Sequence, residues 1–227
     1  PLLNNLSSLA LVDNNYILAR ETIEKSLKLN NKSPNALLNY GCLYFYQNNH
    51  KKAFEYFQKS LETNKQPATY IMLGEYYKAN NKLKDARKSF LKAIDLDEYS
   101  PAYYPLTEVM SLKENDPIVN KIKSLSVDKN LPANFKSTYY FSLWNIYKDN
   151  HNQEQAFKYL VSANKLIRET IDYSTIESKE KIQNLINQDY SILKEPTKSK
   201  SPNIIFIIGM PRSGTSLIEQ ILSSHSL

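Results

Sequence analysis

The sequence predicts a mostly α-helical protein: an α-solenoid of antiparallel helix pairs, followed by the first strand, loop and helix of an α/β domain. Two observations carry this prediction. In the first hundred positions, small and large apolar side chains recur with a period of about 34 residues. Near the C-terminus, five consecutive apolar residues run into a glycine-containing loop and then into an amphipathic segment.

The repeat is defined by positions at which two helices must approach each other closely. A small residue recurs once in each period, and a large apolar residue follows one helical turn later each time. The small residues are Ala19, Ala53 and Ala86, and the large ones are Ile23, Phe57 and Phe90. A second small set lies upstream, at Ser7, Gly41 and Gly74. A period of this length indicates stacked helix pairs, each of which packs only against its neighbours.

Six helices follow from the repeat, and the turns within their pairs are rich in asparagine. The predicted helices span about 2–13, 16–29, 35–47, 50–63, 67–79 and 82–95. Asparagine tolerates the left-handed conformation at the C-terminal end of a helix, which suits the Asn pairs at 14–15, 48–49 and 80–81.

After Pro101 the pattern weakens and then returns. Asp116 is expected to cap a helix whose first residue is Pro117, residues 127–132 form a loop, and a regular pair covers about 133–168. In that pair Phe141, Trp144 and Tyr147 are expected to face Ala156, Leu160 and Ala163. Because Trp144 stands where earlier pairs have a small residue, the sequence predicts looser packing there or a cap to the array.

This pattern resembles that of the tetratricopeptide (TPR) repeat. The resemblance implies a concave groove that binds a protein or a peptide segment. Asn39, Tyr46, Lys78 and Lys113 are candidates to line this groove, although the sequence alone does not orient them. Most tyrosines of the repeats fall at packing positions, so a place in the core is their default interpretation.

The C-terminal stretch has the pattern of an anion-binding loop. Residues 204–208 read as a buried strand, Gly209 and Gly214 bracket the loop, and a helix is expected to start near Thr215. Backbone N–H groups of such a loop and helix converge on one point, where the helix dipole favours negative charge. The glycine spacing matches a nucleotide P-loop, but Thr215 replaces the lysine that such a loop requires, and Arg212 supplies the cation instead.

The run Pro211-Arg212-Ser213-Gly214-Thr215-Ser216 after an apolar strand resembles the 5′-phosphosulfate-binding loop of sulfotransferases. It is most similar to the tyrosylprotein sulfotransferases and to bacterial enzymes that fuse TPR repeats to such a domain. The resemblance implies 3′-phosphoadenosine 5′-phosphosulfate as co-substrate, held by Arg212, Ser213, Gly214, Thr215 and Ser216. This chain has Ser216 where the family usually has Thr, and Ser226 where it usually has Pro.

The resemblance also implies that catalysis needs residues that follow Leu227. In the family, the catalytic base and the 3′-phosphate site lie downstream of this helix, so no catalytic residue is expected within this chain. We therefore expect a fragment that is inactive alone, with a TPR array at 1–170, a connecting helix and linker at 171–202, and an incomplete sulfotransferase domain at 203–227.

Composition narrows the classes of function. The net charge of +6 comes from scattered lysines rather than from a basic stripe with interleaved aromatics, which disfavours nucleic acid as a partner. Cys42 is the only cysteine and reads as a small core residue. Apolar runs stay short of a membrane span, and no His, Asp or Glu cluster has metal-ligand spacing. A cytoplasmic location is the expectation.

Two functions remain open from the sequence. The first is an enzyme that moves a sulfuryl group from the nucleotide donor to a hydroxyl acceptor, which includes protein tyrosine as a candidate. The alternative is a TPR interaction scaffold with a vestigial or different nucleotide-binding domain.

Overall fold

The computed structural model describes residues 1–171 and 175–187, and this part of the chain is helical with no β-strand. The chain divides into two units, Pro1–Asp172 and Tyr173–Leu227. The helices are α1 Leu2–Val12, α2 Tyr16–Leu29, α3 Pro34–Tyr46, α4 His50–Thr63, α5 Pro67–Ala79, α6 Leu83–Leu96, α7 Tyr103–Val109, α8 Pro117–Ser126, α9 Ala133–Asp149, α10 Gln153–Thr170 and α11 Thr175–Ile186. Helices α1 to α10 belong to the first unit, and α11 belongs to the second.

The first unit is a TPR-like solenoid, as the sequence predicts. Consecutive helices pack as pairs, α1 with α2, α3 with α4, α5 with α6 and α9 with α10. The six helices predicted from the repeat each begin and end within one residue of their observed bounds. The strand, glycine loop and helix predicted from residue 204 onward lie outside the described residues.

Each central pair is built on a glycine beneath a phenylalanine ring. A Cβ on Gly41 would lie 2.5 Å from two carbons of the buried Phe57 ring, and a Cβ on Gly74 would meet the ring of Phe90 in the same way. Because only glycine leaves room for the ring, these two positions fix where the helices of each pair cross. Ala53, at the small-residue position of α4, is likewise fully buried.

The turns within pairs use one repeated device. Asn14, Asn48, Asn81 and His151 have φ near +60°, the left-handed conformation that closes a helix. The residue after each of them donates its N–H to the carbonyl five residues back, at 2.8–2.9 Å, as in a Schellman motif. In three of the four turns that same residue is an asparagine whose side chain caps the next helix. One residue thus ends one helix and starts the next.

Lys82 is the exception among these turns. Its backbone, with φ −93° and ψ 63°, matches that of Asn49, with φ −90° and ψ 71°. A lysine side chain has no acceptor, so α6 starts without the side-chain hydrogen bond that caps α4.

The irregular region after Pro101 follows the sequence in part. Asp116 caps α8, as expected: its side-chain oxygen accepts a 2.8 Å hydrogen bond from the backbone N–H of Ile118. Of the two alternatives expected from Trp144, looser packing is wrong, because α9 and α10 contact each other as extensively as the other pairs do. The other alternative, that this pair caps the array, stays a prediction. The Trp144 ring contacts two side chains of its own helix, Phe141 and Lys148. Phe141 is also misplaced by the prediction, since its ring contacts Tyr104 of α7.

We expect Gly74→Ala to destabilise the array by about 1–3 kcal/mol, because its methyl group overpacks against Phe90. The same change in an exposed helix would stabilise it by about 1 kcal/mol. Urea unfolding followed by circular dichroism measures the effect. Phe90→Leu should be less damaging in the Gly74→Ala background than in the wild type; equal effects in both backgrounds would contradict the steric explanation.

We expect Lys82→Asn to raise the free energy of unfolding by about 1 kcal/mol, because the new side chain caps α6 as Asn49 caps α4. The urea midpoint of the variant measures this gain. Asn49→Lys is the matched control and should lower the midpoint by a similar amount. A lower midpoint for Lys82→Asn would contradict the proposed role of this residue.

Candidate functional site

The first helices of successive pairs form the inner face of the solenoid. Helix α3 contacts both α1 and α5, whereas the second helices α2, α4 and α6 share at most occasional contacts with one another. The array therefore curves with α1, α3 and α5 on the inside. This is the groove that the sequence predicts as the place for a bound peptide.

A depression of about 260 Å³ lies on this inner face, between α1, α3 and α5. Its lining is mainly apolar and comprises Ser8, Leu11, Val12, Leu38, Asn39, Cys42, Tyr46, Ala68, Ile71 and Met72. Val12 and Tyr46 are exposed at its edge, whereas Leu38 and Cys42 are buried at its base. The structure thus places two of the sequence candidates, Asn39 and Tyr46, in one groove.

Asn39 is held in a fixed position within this groove. Its side-chain nitrogen donates to the carbonyl oxygen of Asn4 at 2.9 Å and to Oγ of Ser7 at 2.7 Å. These bonds join α3 to α1 on the inner face. Asn39 therefore tethers neighbouring pairs and does not swing freely toward a ligand.

Lys78 forms ion pairs with two carboxylates. Its Nζ lies 2.8 Å from Glu75 on the same helix and 2.7 Å from Glu108 on α7. Partial burial lowers the pKa of Lys78, but the hydrogen bonds to Glu108 and Glu75 outweigh burial and raise it overall. Lys78 thus joins neighbouring repeats. The sequence candidate Lys113 lies between α7 and α8 and is not among the residues that line the depression.

The sequence interpretation did not identify the carboxylate partners of Lys78, although a signal for them exists. Glu75 and Glu108 are one repeat apart along the chain, so they occupy equivalent positions on successive inner helices. With Lys78 paired in this way, the inner face presents an apolar depression beside a cluster of one ammonium group and two carboxylates, which carries a net negative charge. Such a surface favours uncharged peptide side chains over acidic ones.

On the other side of α3, the cleft between α2 and α4 is filled by aromatic rings. The Tyr56 ring lies 4.7 Å from that of Tyr40 and 5.5 Å from that of Tyr44, between centroids. The Arg20 guanidinium stands 5.7 Å from the centre of the Tyr44 ring. Glu24 accepts a 3.1 Å hydrogen bond from the Tyr40 hydroxyl.

The hydroxyls of this cluster differ in acidity. Burial raises the pKa of Tyr40, and its hydrogen bonds to Tyr44 and Glu24 raise it further. Burial would also raise the pKa of Tyr44, but hydrogen bonds from Tyr40 and Arg20 outweigh it and lower that pKa. The cluster fills space and pairs its polar groups internally.

The residues that the sequence assigns to the nucleotide, Arg212, Ser213, Gly214, Thr215 and Ser216, lie outside the described residues. Within the described part of the chain, no group of three His, Cys, Asp or Glu side chains is arranged to hold a metal ion. None of the helices at 1–171 and 175–187 combines the length and apolar character that crossing a membrane requires.

Comparison with known families identifies both kinds of segment. Two tetratricopeptide-repeat models match residues 34–66 and 67–99, and a model described as the sulfotransferase family matches residues 202–227. The repeats therefore stand on the same chain as a short sulfotransferase-like segment.

A protein of Aquifex aeolicus (strain VF5), described as uncharacterized, is 32% identical over 123 residues. The match covers 53% of this chain and 16% of the length of that relative. The crystal structure of MamA has a TM-score of 0.50 at 19% identity, over 74% of this chain and 98% of that one. YrrB, described as a TPR protein with an unusual peptide-binding site, has a TM-score of 0.47 at 19% identity, over 72% and 84% of the two chains. At this identity, the likeness to MamA shows the fold alone.

Cys42 provides a chemical test of the inner face. Burial raises the pKa of its thiol to about 12, which reduces the thiolate fraction near pH 8 roughly a thousandfold. We expect a disulfide reagent such as dithionitrobenzoate to label the native chain at least a hundredfold more slowly than the chain in guanidinium. Since this is the only cysteine, the colour change reports on it alone. Labelling of the native chain at the unfolded rate would show that the base of the depression is open.

Proposed function

We propose that this chain is part of a sulfotransferase in which the TPR array holds a polypeptide partner and the 209–216 loop binds 3′-phosphoadenosine 5′-phosphosulfate. The sulfotransferase-family match over 202–227 carries this proposal, because it spans the loop whose side chains suit a phosphosulfate. The TPR repeats support a protein-binding role for the rest of the chain.

In the proposed site, the backbone amides from Ser213 to Ser216 bind oxygens of the 5′-phosphate and the sulfate. The hydroxyls of Ser213, Thr215 and Ser216 add hydrogen bonds. Arg212 stabilises the bridging oxygen as the bond from sulfur to that oxygen breaks. The sulfuryl group passes to an acceptor hydroxyl, whose proton goes to the base that the family resemblance places downstream of this helix. A hydrogen bond to a charged group contributes about 1.5–3 kcal/mol, so Arg212 should matter more than any single hydroxyl.

The proposed acceptor is a hydroxyl of the polypeptide that the array holds, with tyrosine as the candidate. The resemblance of the 211–216 run to tyrosylprotein sulfotransferases supports this choice. The apolar inner groove supports an acceptor segment that inserts uncharged side chains, because Lys78 is already paired with Glu75 and Glu108.

Calorimetry on the protein encoded by the complete gene tests the proposal. We expect 3′-phosphoadenosine 5′-phosphate to bind with micromolar or tighter affinity, and Arg212→Ala to weaken it at least tenfold, or about 1.4 kcal/mol. Arg87→Ala, an exposed change on α6, is the matched control and should leave the affinity unchanged.

Two results would refute the proposed sulfotransferase function. Tight binding of ATP with magnesium and none of the phosphoadenosine nucleotide would assign the loop to a different nucleotide. Binding of neither nucleotide, with the array still folded, would leave the protein-interaction scaffold as the function.

A further inference from the structure

A second depression lies on the opposite side of α5 from the inner face. It has a volume of about 680 Å³ and runs between α4 and α6, with α5 as its floor; we call it the outer cleft. It is lined by Gln58, Leu61, Glu62, Lys65, Tyr70, Leu73, Tyr77, Asp85, Lys88, Ser89, Leu91 and Lys92. The TPR groove does not include these residues.

The equivalent cleft one repeat earlier is closed by a side chain of the chain itself. There the ring of Tyr56 lies on Tyr40 and Tyr44, with centroids 4.7 and 5.5 Å away. The depression that remains there measures about 460 Å³; it lies between α4 and the turn that joins α2 to α3, and of the α3 residues only Leu37 lines it. Tyr56 therefore fills, in the cleft between α2 and α4, the space that is open in the outer cleft.

The outer cleft is open because a serine replaces this tyrosine. Ser89 occupies the same position of its repeat as Tyr56 does in the preceding one, and its hydroxyl donates to the carbonyl of Asp85 at 2.9 Å. In the last pair the position returns to tyrosine, and Tyr159 packs on Tyr147 at 5.2 Å between centroids. Of the four helix pairs in residues 1–171, two thus place a tyrosyl ring at this position, whereas the α1–α2 pair has Thr22 and the α5–α6 pair has Ser89.

The residues that surround the Tyr56 ring have counterparts around Ser89 in the outer cleft. Tyr77 corresponds to Tyr44 in the floor, and Leu73 supplies an apolar surface where Tyr40 stands. Lys92 corresponds to Lys59, whose Nζ lies 4.9 Å from the centre of the Tyr56 ring. An aromatic ring in the outer cleft would therefore meet an aromatic floor, an apolar floor and a nearby cation.

The shape of the outer cleft favours a polypeptide over a small free molecule. The cleft is an open trough whose α6 wall runs from Asp85 to Lys92, a rise of about 10 Å at about 1.5 Å per residue. About three residues of extended chain span that length. A central side chain can then point into the space above Leu73 while its neighbours lie along the trough.

We propose that the outer cleft binds a tyrosyl side chain of a polypeptide partner, whose ring takes the place that Tyr56 occupies in the preceding repeat. The inference rests on the protein-binding half of the proposed function and adds a binding site outside the TPR groove. It does not involve the nucleotide loop. The charged residues of the lining carry one net positive charge, so charge alone selects weakly and the ring is expected to supply the selectivity; they are Glu62, Lys65, Asp85, Lys88 and Lys92.

Nuclear magnetic resonance on the 227-residue chain tests the proposal with two short peptides, acetyl-Gly-Tyr-Gly-amide and acetyl-Gly-Leu-Gly-amide. We expect saturable shifts at Leu61, Leu73 and Tyr77 with the tyrosine peptide, and at least fivefold weaker binding of the leucine peptide. Shifts confined to the inner face, at Leu38 and Ile71, or equal affinity for the two peptides, would overturn the proposal.

A reciprocal exchange between the two repeats makes the test specific. Ser89→Tyr should fill the outer cleft and weaken the tyrosine peptide at least tenfold, whereas Ser124→Tyr, an exposed change on α8, should not. Tyr56→Ser should open a second site, with new shifts at Leu37 and Tyr44. Undiminished binding by folded Ser89→Tyr would refute the assignment; if that variant fails to fold by circular dichroism, the shift map of the wild type decides. No nucleotide is present, so failure here is distinct from failure of the calorimetric test.

Discussion

The contact of a glycine with a phenylalanine ring determines how this array is built. At Gly41 and Gly74 the backbone of one helix lies against the ring of Phe57 or Phe90, with no room for a Cβ. The contact fixes where each helix pair crosses, and its recurrence in the next repeat gives neighbouring pairs the same geometry. Stacking of identical crossings produces an inner face of first helices and an outer face of second helices. Both depressions follow from that arrangement.

Local signals account for the parts of the fold that the sequence predicts well. Helix bounds depend on apolar spacing, capping and left-handed asparagines, all of which lie within a few residues of each helix end. The failures concern contacts between distant elements. The repeat pattern predicts that Trp144 either loosens its helix pair or caps the array, but the pair packs as extensively as the others and the ring contacts Phe141 and Lys148 of its own helix. Nothing local to Trp144 distinguishes these outcomes.

The residues of the candidate site also differ in whether local sequence signals or contacts between distant elements determine their role. Asn39 and Tyr46 are groove candidates from the sequence, but only the structure orients them, by placing both in the lining of the inner depression. The pairing of Lys78 with Glu108 joins residues on α5 and α7, so this lysine, a candidate to line the groove, serves as a link between repeats. The loop residues Arg212 to Ser216 remain a prediction from the sequence.

Repeat symmetry also allows inference from positions at which the repeats differ. Positions that set the crossing, such as Ala53 and Ala86, are held small by the neighbouring helix and therefore carry little information about ligands. The position shared by Tyr56 and Ser89 lies beside the crossing, so either residue is compatible with the same backbone. A tyrosine there closes the cleft, whereas a serine leaves Leu73 and Tyr77 available to an external ring. Exchanging tyrosine for serine at this position does not alter the solenoid. It changes only the surface that the repeat presents to a partner.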